Sequence, residues 1–115
     1  MTVVGLFRNA QEIVKVAAGD TVFKEGDVGD EMYGIVEGGI ELRTSSKLIA
    51  TLGPDDVFGE MAVVDSSPRM ASAIATSDSV LAVIDRRRFL FLVHETPMFA
   101  LQVMSTMAQR FRTQG

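Results

Sequence analysis

The chain has 115 residues, a formal charge of −4 and 47% apolar residues, and this length predicts a single domain, residues 1–115, with a substantial core. It contains no cysteine and one histidine, which excludes disulfides, thiolate metal sites and a histidine cluster for zinc. Residues 1–85 carry 6 basic and 14 acidic side chains, and residues 86–115 carry 5 and 1, so the acidic body disfavours direct nucleic-acid binding and an anionic ligand needs a local site.

The N-terminus, Met-Thr-Val-Val-Gly-Leu-Phe-Arg, lacks the basic start and long apolar stretch of a signal peptide. No apolar run approaches the roughly 20 residues that cross a bilayer. We therefore expect a cytoplasmic protein with no membrane partner.

Short apolar runs separated by glycine and aspartate fill the next part of the chain. Runs of this length and spacing predict a sandwich or barrel of antiparallel strands with tight turns. The predicted strands are residues 13–16, 21–23, 32–36, 40–42, 48–52, 72–76 and 80–85.

Residues 58–73 combine a loop, one turn of helix and a lone arginine. Gly59 allows a close backbone approach or a positive φ, and residues 60–64 can form a short helix whose first N–H groups face an anion. Pro68 stiffens the corner from which Arg69 enters the next strand, predicted to begin at Met70. A guanidinium held in this way can bind two oxygens of a phosphate.

Glu60 has the wrong charge for a phosphate site, but a carboxylate accepts hydrogen bonds, and the donor beside a nucleotide phosphate is a ribose hydroxyl. The pair of Glu60 and Arg69 therefore indicates a phosphate together with its sugar. The alternative interpretation is a surface ion pair worth about 0–1 kcal/mol, without function.

Residues 58–72 resemble the phosphate-binding cassette of cyclic nucleotide-binding domains, of the catabolite activator protein and protein kinase A regulatory subunit type. A second stretch, residues 25–38, is similar to the turn glycines around a core strand in the same family. The resemblance implies a mainly β fold: an antiparallel jelly-roll (β-roll, double-stranded β-helix) of about eight strands over residues 10–85, a cassette helix, and C-terminal helices over residues 86–112. The cassette matches are Phe58, Gly59, Glu60, Met61, Ala62, Pro68, Arg69, Ala71 and Ser72.

The resemblance implies a non-catalytic sensor of a cyclic nucleotide. Arg69, the N–H groups of the cassette helix and Ala71 are expected on the cyclic phosphate, with Glu60 and Gly59 on the ribose 2′-hydroxyl. Met70 departs from the family pattern, where Ala, Ser or Thr is common and a hydroxyl can reach the phosphate or a guanine amino group. This departure favours cAMP while leaving cGMP open. The predicted ligand-binding residues are Phe58, Gly59, Glu60, Met61, Ala62, Pro68, Arg69, Met70, Ala71 and Ser72.

Two other functions remain open. The barrel can be a ligand-free structural or interaction module, or the sensor part of a catabolite-activator-type transcription regulator without its DNA-binding domain. Glu60, Asp65 and His94 show no spacing of a nucleophile with its base, so we expect no catalytic residue, no metal and no cofactor.

Two C-terminal helices are predicted, residues 86–93 with Asp85 as N-cap, and a second one opened by Thr96 and Pro97 and ending near residue 112. The arginines at 86–88 are interpreted as a solvated helix start. Apolar residues cover an arc of roughly 200° on the second helix, whereas one core contact needs about 100°. Packing on the barrel, a lid over the pocket and pairing with a second copy are all compatible with this arc, and we expect a homodimer.

Overall fold

The computed structural model describes residues 2–114, with side chains described through residue 112. Eight strands and one short helix occupy the chain up to residue 84, and two longer helices follow. The strands are β1 Ile13–Val16, β2 Thr21–Phe23, β3 Met32–Glu37, β4 Ile40–Arg43, β5 Leu48–Leu52, β6 Val57–Phe58, β7 Ser72–Ala75 and β8 Ser79–Ile84, and the helices are α1 Glu60–Val64, α2 Arg86–Glu95 and α3 Met98–Gln114.

The strands form two antiparallel four-stranded sheets, ordered β1-β8-β3-β6 and β2-β7-β4-β5. The first strand pairs with the eighth, the second with the seventh, the third with the sixth and the fourth with the fifth. The eight strands therefore pair as the two arms of one long hairpin would. Successive pairs along this hairpin lie alternately in the first and the second sheet. The arrangement confirms the predicted mainly β class with a cassette helix and C-terminal helices.

Two groups of buried apolar side chains hold the elements together. One group packs between strands and includes Ile35, Ile40 and Leu81. The other lies under the helices, where Phe7 contacts Phe99 edge to face with ring centroids 6.0 Å apart. Helix α3 is therefore anchored on the barrel through its first turns.

Several element boundaries differ from the sequence predictions. Strand β7 begins at Ser72, which confirms the start predicted from the apolar runs. Arg69 and Met70 lie in the loop before it, so the other predicted start, at Met70, was wrong. The two-residue strand β6 was not predicted, because two apolar residues give no periodic signal. The predicted N-cap of α2 is confirmed, since the carboxylate of Asp85 accepts a 2.7 Å hydrogen bond from the Arg88 N–H.

Candidate functional site

Gly59 joins β6 to α1 in a conformation that disfavours side chains. Its φ of 78° and ψ of 15° are left-handed, a region that glycine enters without steric penalty. A Cβ at this position would also lie 2.8 Å from Nη1 of Arg69. The sequence prediction of a positive φ or a close approach is confirmed, and both occur.

The main chain of Arg69 is fixed by the loop between β2 and β3. Its N–H donates to the carbonyl of Asp27 at 2.9 Å, and its carbonyl accepts from the Gly26 N–H at 2.7 Å. Three residues later the Ser72 hydroxyl accepts from the Glu25 N–H at 2.9 Å. The two sequence motifs, residues 25–38 and 58–72, therefore meet around Arg69.

The side chain of Arg69 is a buried cation that forms no ion pair within residues 2–112. Only 7% of the residue is exposed, and its Cζ lies 4.2 Å from the ring centroid of Phe23. Nη1 donates to the Gly59 carbonyl at 3.3 Å, whereas Nε is buried and unpartnered within residues 2–112. No described carboxylate lies within ion-pair distance of Arg69. An unpaired buried cation is costly, so this geometry suits an incoming anion.

Gly29 lies directly against this guanidinium. A Cβ on Gly29 would approach Nη2 of Arg69 to 2.5 Å and its Cζ to 2.9 Å. Because Gly29 has no side chain, the guanidinium of Arg69 can occupy this space. The sequence grouped Gly29 among turn glycines, and the structure gives it this additional steric role.

Glu60, the first residue of α1, is paired with a residue that the sequence analysis did not select. Its two carboxylate oxygens accept from Nη1 of Arg110 at 2.8 and 3.0 Å, and Nη2 of Arg110 donates to the Val57 carbonyl at 2.7 Å. Glu60 is 4% exposed. The interpretation of Glu60 and Arg69 as an ion pair with each other is therefore wrong, because Glu60 pairs with α3.

Glu60, Arg69 and Arg110 border one cavity of about 360 Å³, within the range of small-ligand sites. Helix α3 closes one side of it, and the cassette forms much of the remainder. The cavity is lined by Phe23, Leu42, Ile49, Gly59, Glu60, Met61, Ala62, Ser67, Pro68, Arg69, Met70, Ala71, Met107, Ala108, Arg110 and Phe111.

Two of the ten predicted ligand-binding residues do not line this cavity. Phe58 is fully buried and stacks on Tyr33 with a centroid distance of 5.2 Å. The hydroxyl oxygen of Ser72 accepts a hydrogen bond from the Glu25 N–H instead. The other eight predicted residues, Gly59 to Ala62 and Pro68 to Ala71, are brought together in the cavity wall.

Sequence reasoning missed the α3 contribution of Met107, Ala108, Arg110 and Phe111. The signal available was the wide apolar arc of this helix, which left a lid as one of three options. Arg110 carried no local signal, because its partner Glu60 lies 50 residues earlier in the chain.

Acidic side chains surround the loop beside the arginine. Partial burial raises the pKa of the Glu31 carboxyl above its usual value, and the nearby negative charges of Glu12, Asp30 and Asp85 raise it further, while Arg69 acts in the opposite direction. Burial also raises the pKa of the Tyr33 hydroxyl. The positive charge of Arg69 thus acts on Glu31 and Tyr33 in the direction opposite to that of the neighbouring carboxylates.

Two further features of the described residues bear on the kind of site. Residues 2–112 contain no group of three His, Asp or Glu side chains placed to hold a metal ion. Among the helices of the described chain, none has the length and apolarity that crossing a membrane requires.

Comparison with known proteins agrees with this geometry. The model of the cyclic nucleotide-binding domain matches residues 13–96. The Cyclic AMP receptor protein of Thermus thermophilus is 34% identical over 99 residues, which is 82% of this chain and 46% of that protein. The cAMP-dependent protein kinase regulatory subunit of Eremothecium gossypii is 35% identical over 81 residues, 70% of this chain and 18% of that subunit.

A solved structure described as "A cyclic-GMP-dependent signalling pathway regulates bacterial phytopathogenesis" superimposes with a TM-score of 0.76 at 30% identity, over 93% of this chain and 89% of that one. The chain spans less than half the length of the two curated relatives. The family model covers both the β2–β3 loop and the Arg69 loop, which form the two sides of the arginine site. The chain therefore belongs to the cyclic nucleotide-binding domain family, as its sequence motifs predicted.

Proposed function

We propose that this domain is a non-catalytic cytoplasmic sensor that binds a cyclic mononucleotide, with cAMP as the favoured ligand. The observation that carries the proposal is Arg69, a buried guanidinium on the wall of a cavity of about 360 Å³, whose Nε has no hydrogen-bond partner in the part of the chain that the structure describes. A cyclic phosphate supplies the missing negative charge and accepts charge-assisted hydrogen bonds.

In the proposed complex the cyclic phosphate lies against Arg69 and the N–H groups at the start of α1 and at Ala71. The ribose 2′-hydroxyl donates to Glu60. Arg110 already donates to both Glu60 oxygens, but each carboxylate oxygen has a second acceptor site. The ribose can therefore bind to Glu60 while Arg110 stays in place.

The choice of cAMP over cGMP depends on the apolar side of the cavity. Met70 is half exposed and lines the wall, and Met107 and Phe111 line it from α3. Met70 offers a polarizable surface for a base and no hydroxyl for a guanine amino group. The names of the relatives include both cyclic AMP and cyclic GMP, so we propose cAMP as the better ligand and cGMP as the alternative.

The signal is proposed to leave through α2 and α3. Arg86 of α2 donates to the carbonyl of Val63 at the end of α1 at 3.1 Å, and Arg110 of α3 binds Glu60 at its start. Both C-terminal helices thus contact the cassette helix. The ligand must bind one arrangement of these helices more tightly than another, since equal affinity shifts no population.

We also propose that the outer face of α3 pairs with a second copy of the chain. Phe99 and Val103 face the barrel and are buried, whereas Leu101 and Met104 are 47% and 58% exposed. These exposed positions form an apolar stripe on a helix whose inner face is already used. Such a patch favours self-association.

The rival function is a ligand-free interaction module of the same fold. Its supporting observation is that Arg110 already neutralises Glu60, so the acidic half of the site needs no ligand. The sensor of a longer transcription regulator is a further alternative, since this chain corresponds to 46% of the Thermus receptor protein.

A thermal-shift screen with cAMP, cGMP and cyclic dinucleotides tests the proposal. A ligand at a hundredfold excess over its Kd stabilises the folded state by about 2.7 kcal/mol, which shifts Tm by several degrees for a domain of this size. We expect the largest shift with cAMP, and a clearly smaller shift with cAMP for Arg69→Met. No shift with any cyclic mononucleotide would support the ligand-free module.

A further inference from the structure

A buried glutamine on α3 forms a second polar attachment of that helix to the barrel. Gln102 is 2% exposed, and both ends of its amide are used. Nε2 donates to the Asp55 carbonyl at 2.8 Å, and Oε1 accepts from the Val3 N–H at 2.9 Å. The amide thus joins three parts of the chain that are far apart in sequence.

The turn that receives Gln102 is itself held in place. Asp55 has a φ of 73°, which is uncommon for a residue with a side chain. Its N–H donates to the Ile35 carbonyl at 2.8 Å, and its carboxylate accepts from the Gly5 N–H at 2.9 Å. The Asp55 carbonyl is therefore a fixed reference point for α3.

Apolar packing alone does not set the rotation of α3. Apolar side chains occur on both its faces, with Phe99 and Val103 buried and Leu101 and Met104 exposed. The hydrophobic effect is non-directional, so a rotated helix could bury Leu101 or Met104 in place of Phe99 or Val103. A buried polar residue can instead select a single register, as a lone asparagine does in coiled coils.

The register matters because Arg110 lies eight residues after Gln102 on the same helix. Arg110 must reach both Glu60 and the Val57 carbonyl, which follows Asp55 by two residues. A slip of one residue rotates the helix by about 100°, and a slip of one turn moves it by about 5.4 Å. Either slip takes the guanidinium of Arg110 away from Glu60.

We propose that Gln102 is a positioning residue, which fixes the rotation and height of α3 on the barrel so that Arg110 meets Glu60 in the wall of the cavity. Because Val3 binds the same amide, the N-terminal segment contributes to ligand affinity although residues 3–7 do not line the cavity. The link to affinity depends on the proposed function, whereas the positioning of α3 does not.

The test compares Gln102→Met, which keeps the size of the side chain but removes both hydrogen bonds, with Ile40→Val. Ile40 is a buried β4 residue that does not line the cavity, so the second variant controls for a general loss of stability. Amide hydrogen exchange of residues 103–112 is measured in both ligand-free proteins. We expect Gln102→Met to speed exchange about tenfold in these residues relative to the strands, and Ile40→Val to leave that ratio unchanged.

Calorimetry with cAMP then measures the coupling to Arg110. Gln102→Met should weaken binding about tenfold in the wild-type background and less than twofold in an Arg110→Met background, because the two residues act through one contact. Equal losses in both backgrounds, or unchanged exchange of α3, would overturn the positioning role. If wild-type protein binds no cyclic nucleotide, the proposed function fails, and the exchange experiment alone still decides the role of Gln102.

Discussion

The guanidinium of Arg110 donates to both carboxylate oxygens of Glu60, at 2.8 and 3.0 Å, and joins α3 to the first residue of α1. The two side chains are 15% and 5% exposed. Helix α3 and the cassette helix are therefore held together by a largely buried ion pair in the wall of the cavity.

Removing one partner of this pair leaves the other charge buried. Glu60→Gln and Arg110→Gln are each expected to lower the free energy of unfolding by about 1.5–3 kcal/mol, the range for hydrogen bonds to charged groups. The double variant should lose clearly less than the sum of the two, because no charge is then left unpaired. Urea denaturation of all four proteins measures the coupling, and additive losses would show that the ion pair does not form in solution.

Arg69 is expected to behave in the opposite way. Arg69→Met removes a buried cation that has no ion-pair partner among the described residues, so the ligand-free protein should keep its stability or gain some. Cyclic nucleotide affinity should fall at least tenfold, since charge-assisted hydrogen bonds contribute about 1.5–3 kcal/mol each.

Thermal denaturation and calorimetry of the same sample check both parts of the Arg69 prediction. Arg69→Lys keeps the charge but loses the planar fork and should bind with intermediate affinity. Unchanged cAMP affinity for Arg69→Met would remove Arg69 from the site.

Gly29 offers a way to displace the guanidinium without changing it. Gly29→Ala places a Cβ 2.5 Å from Nη2 of Arg69, whereas the same change at Gly53 meets no atom within 4 Å, and neither glycine has a positive φ. We expect Gly29→Ala to weaken cAMP binding about tenfold, as when a charged hydrogen bond is lost. Gly53→Ala is the matched control and should bind as wild type. Equal affinity of the two variants would mean that the arginine is free to move.

Glu31 should make stability depend on pH. Its pKa is raised in the folded protein by burial and by neighbouring carboxylates, so the folded state favours the protonated form. Protonated Glu31 therefore stabilises the folded state. This contribution is fully present below the usual pKa of a glutamate and is lost as pH rises through the pKa of Glu31 in the folded protein. Glu31→Gln should therefore raise Tm at pH 7, with a gain that disappears below about pH 4. Thermal denaturation of wild type and Glu31→Gln at pH 7 and below about pH 4 tests this prediction. A lower Tm for Glu31→Gln than for wild type at pH 7 would contradict it.

The outer face of α3 predicts an oligomeric state. Leu101→Glu combined with Met104→Glu places charges on the exposed apolar stripe, and we expect it to convert a dimer into a monomer. Light scattering after size-exclusion chromatography measures the mass. Val28→Glu, at a position that is 94% exposed on the β2–β3 loop, is the control and should leave the mass unchanged. A monomeric wild-type protein would reject this interface.

The sequence by itself determined the mainly β class and the short helix after Gly59, and it selected Arg69 as a candidate contact for an anion. Each of these depends on local chemistry: alternating apolar runs with turn glycines, a position that needs a positive φ, and a proline beside a single arginine. Local preferences act over a few residues, so they can be read directly from a linear pattern.

Only the tertiary structure decided which side chains face one another across the cavity. Glu60 appeared from sequence as the partner of a ribose or of Arg69, and the fold gave it Arg110, 50 residues away. Likewise Gln102 had no local signal, although its amide joins α3 to residues 3 and 55. Such pairings follow from how α3 lies on the barrel, and the apolar arc of a helix does not specify that rotation, because hydrophobic contacts have no direction.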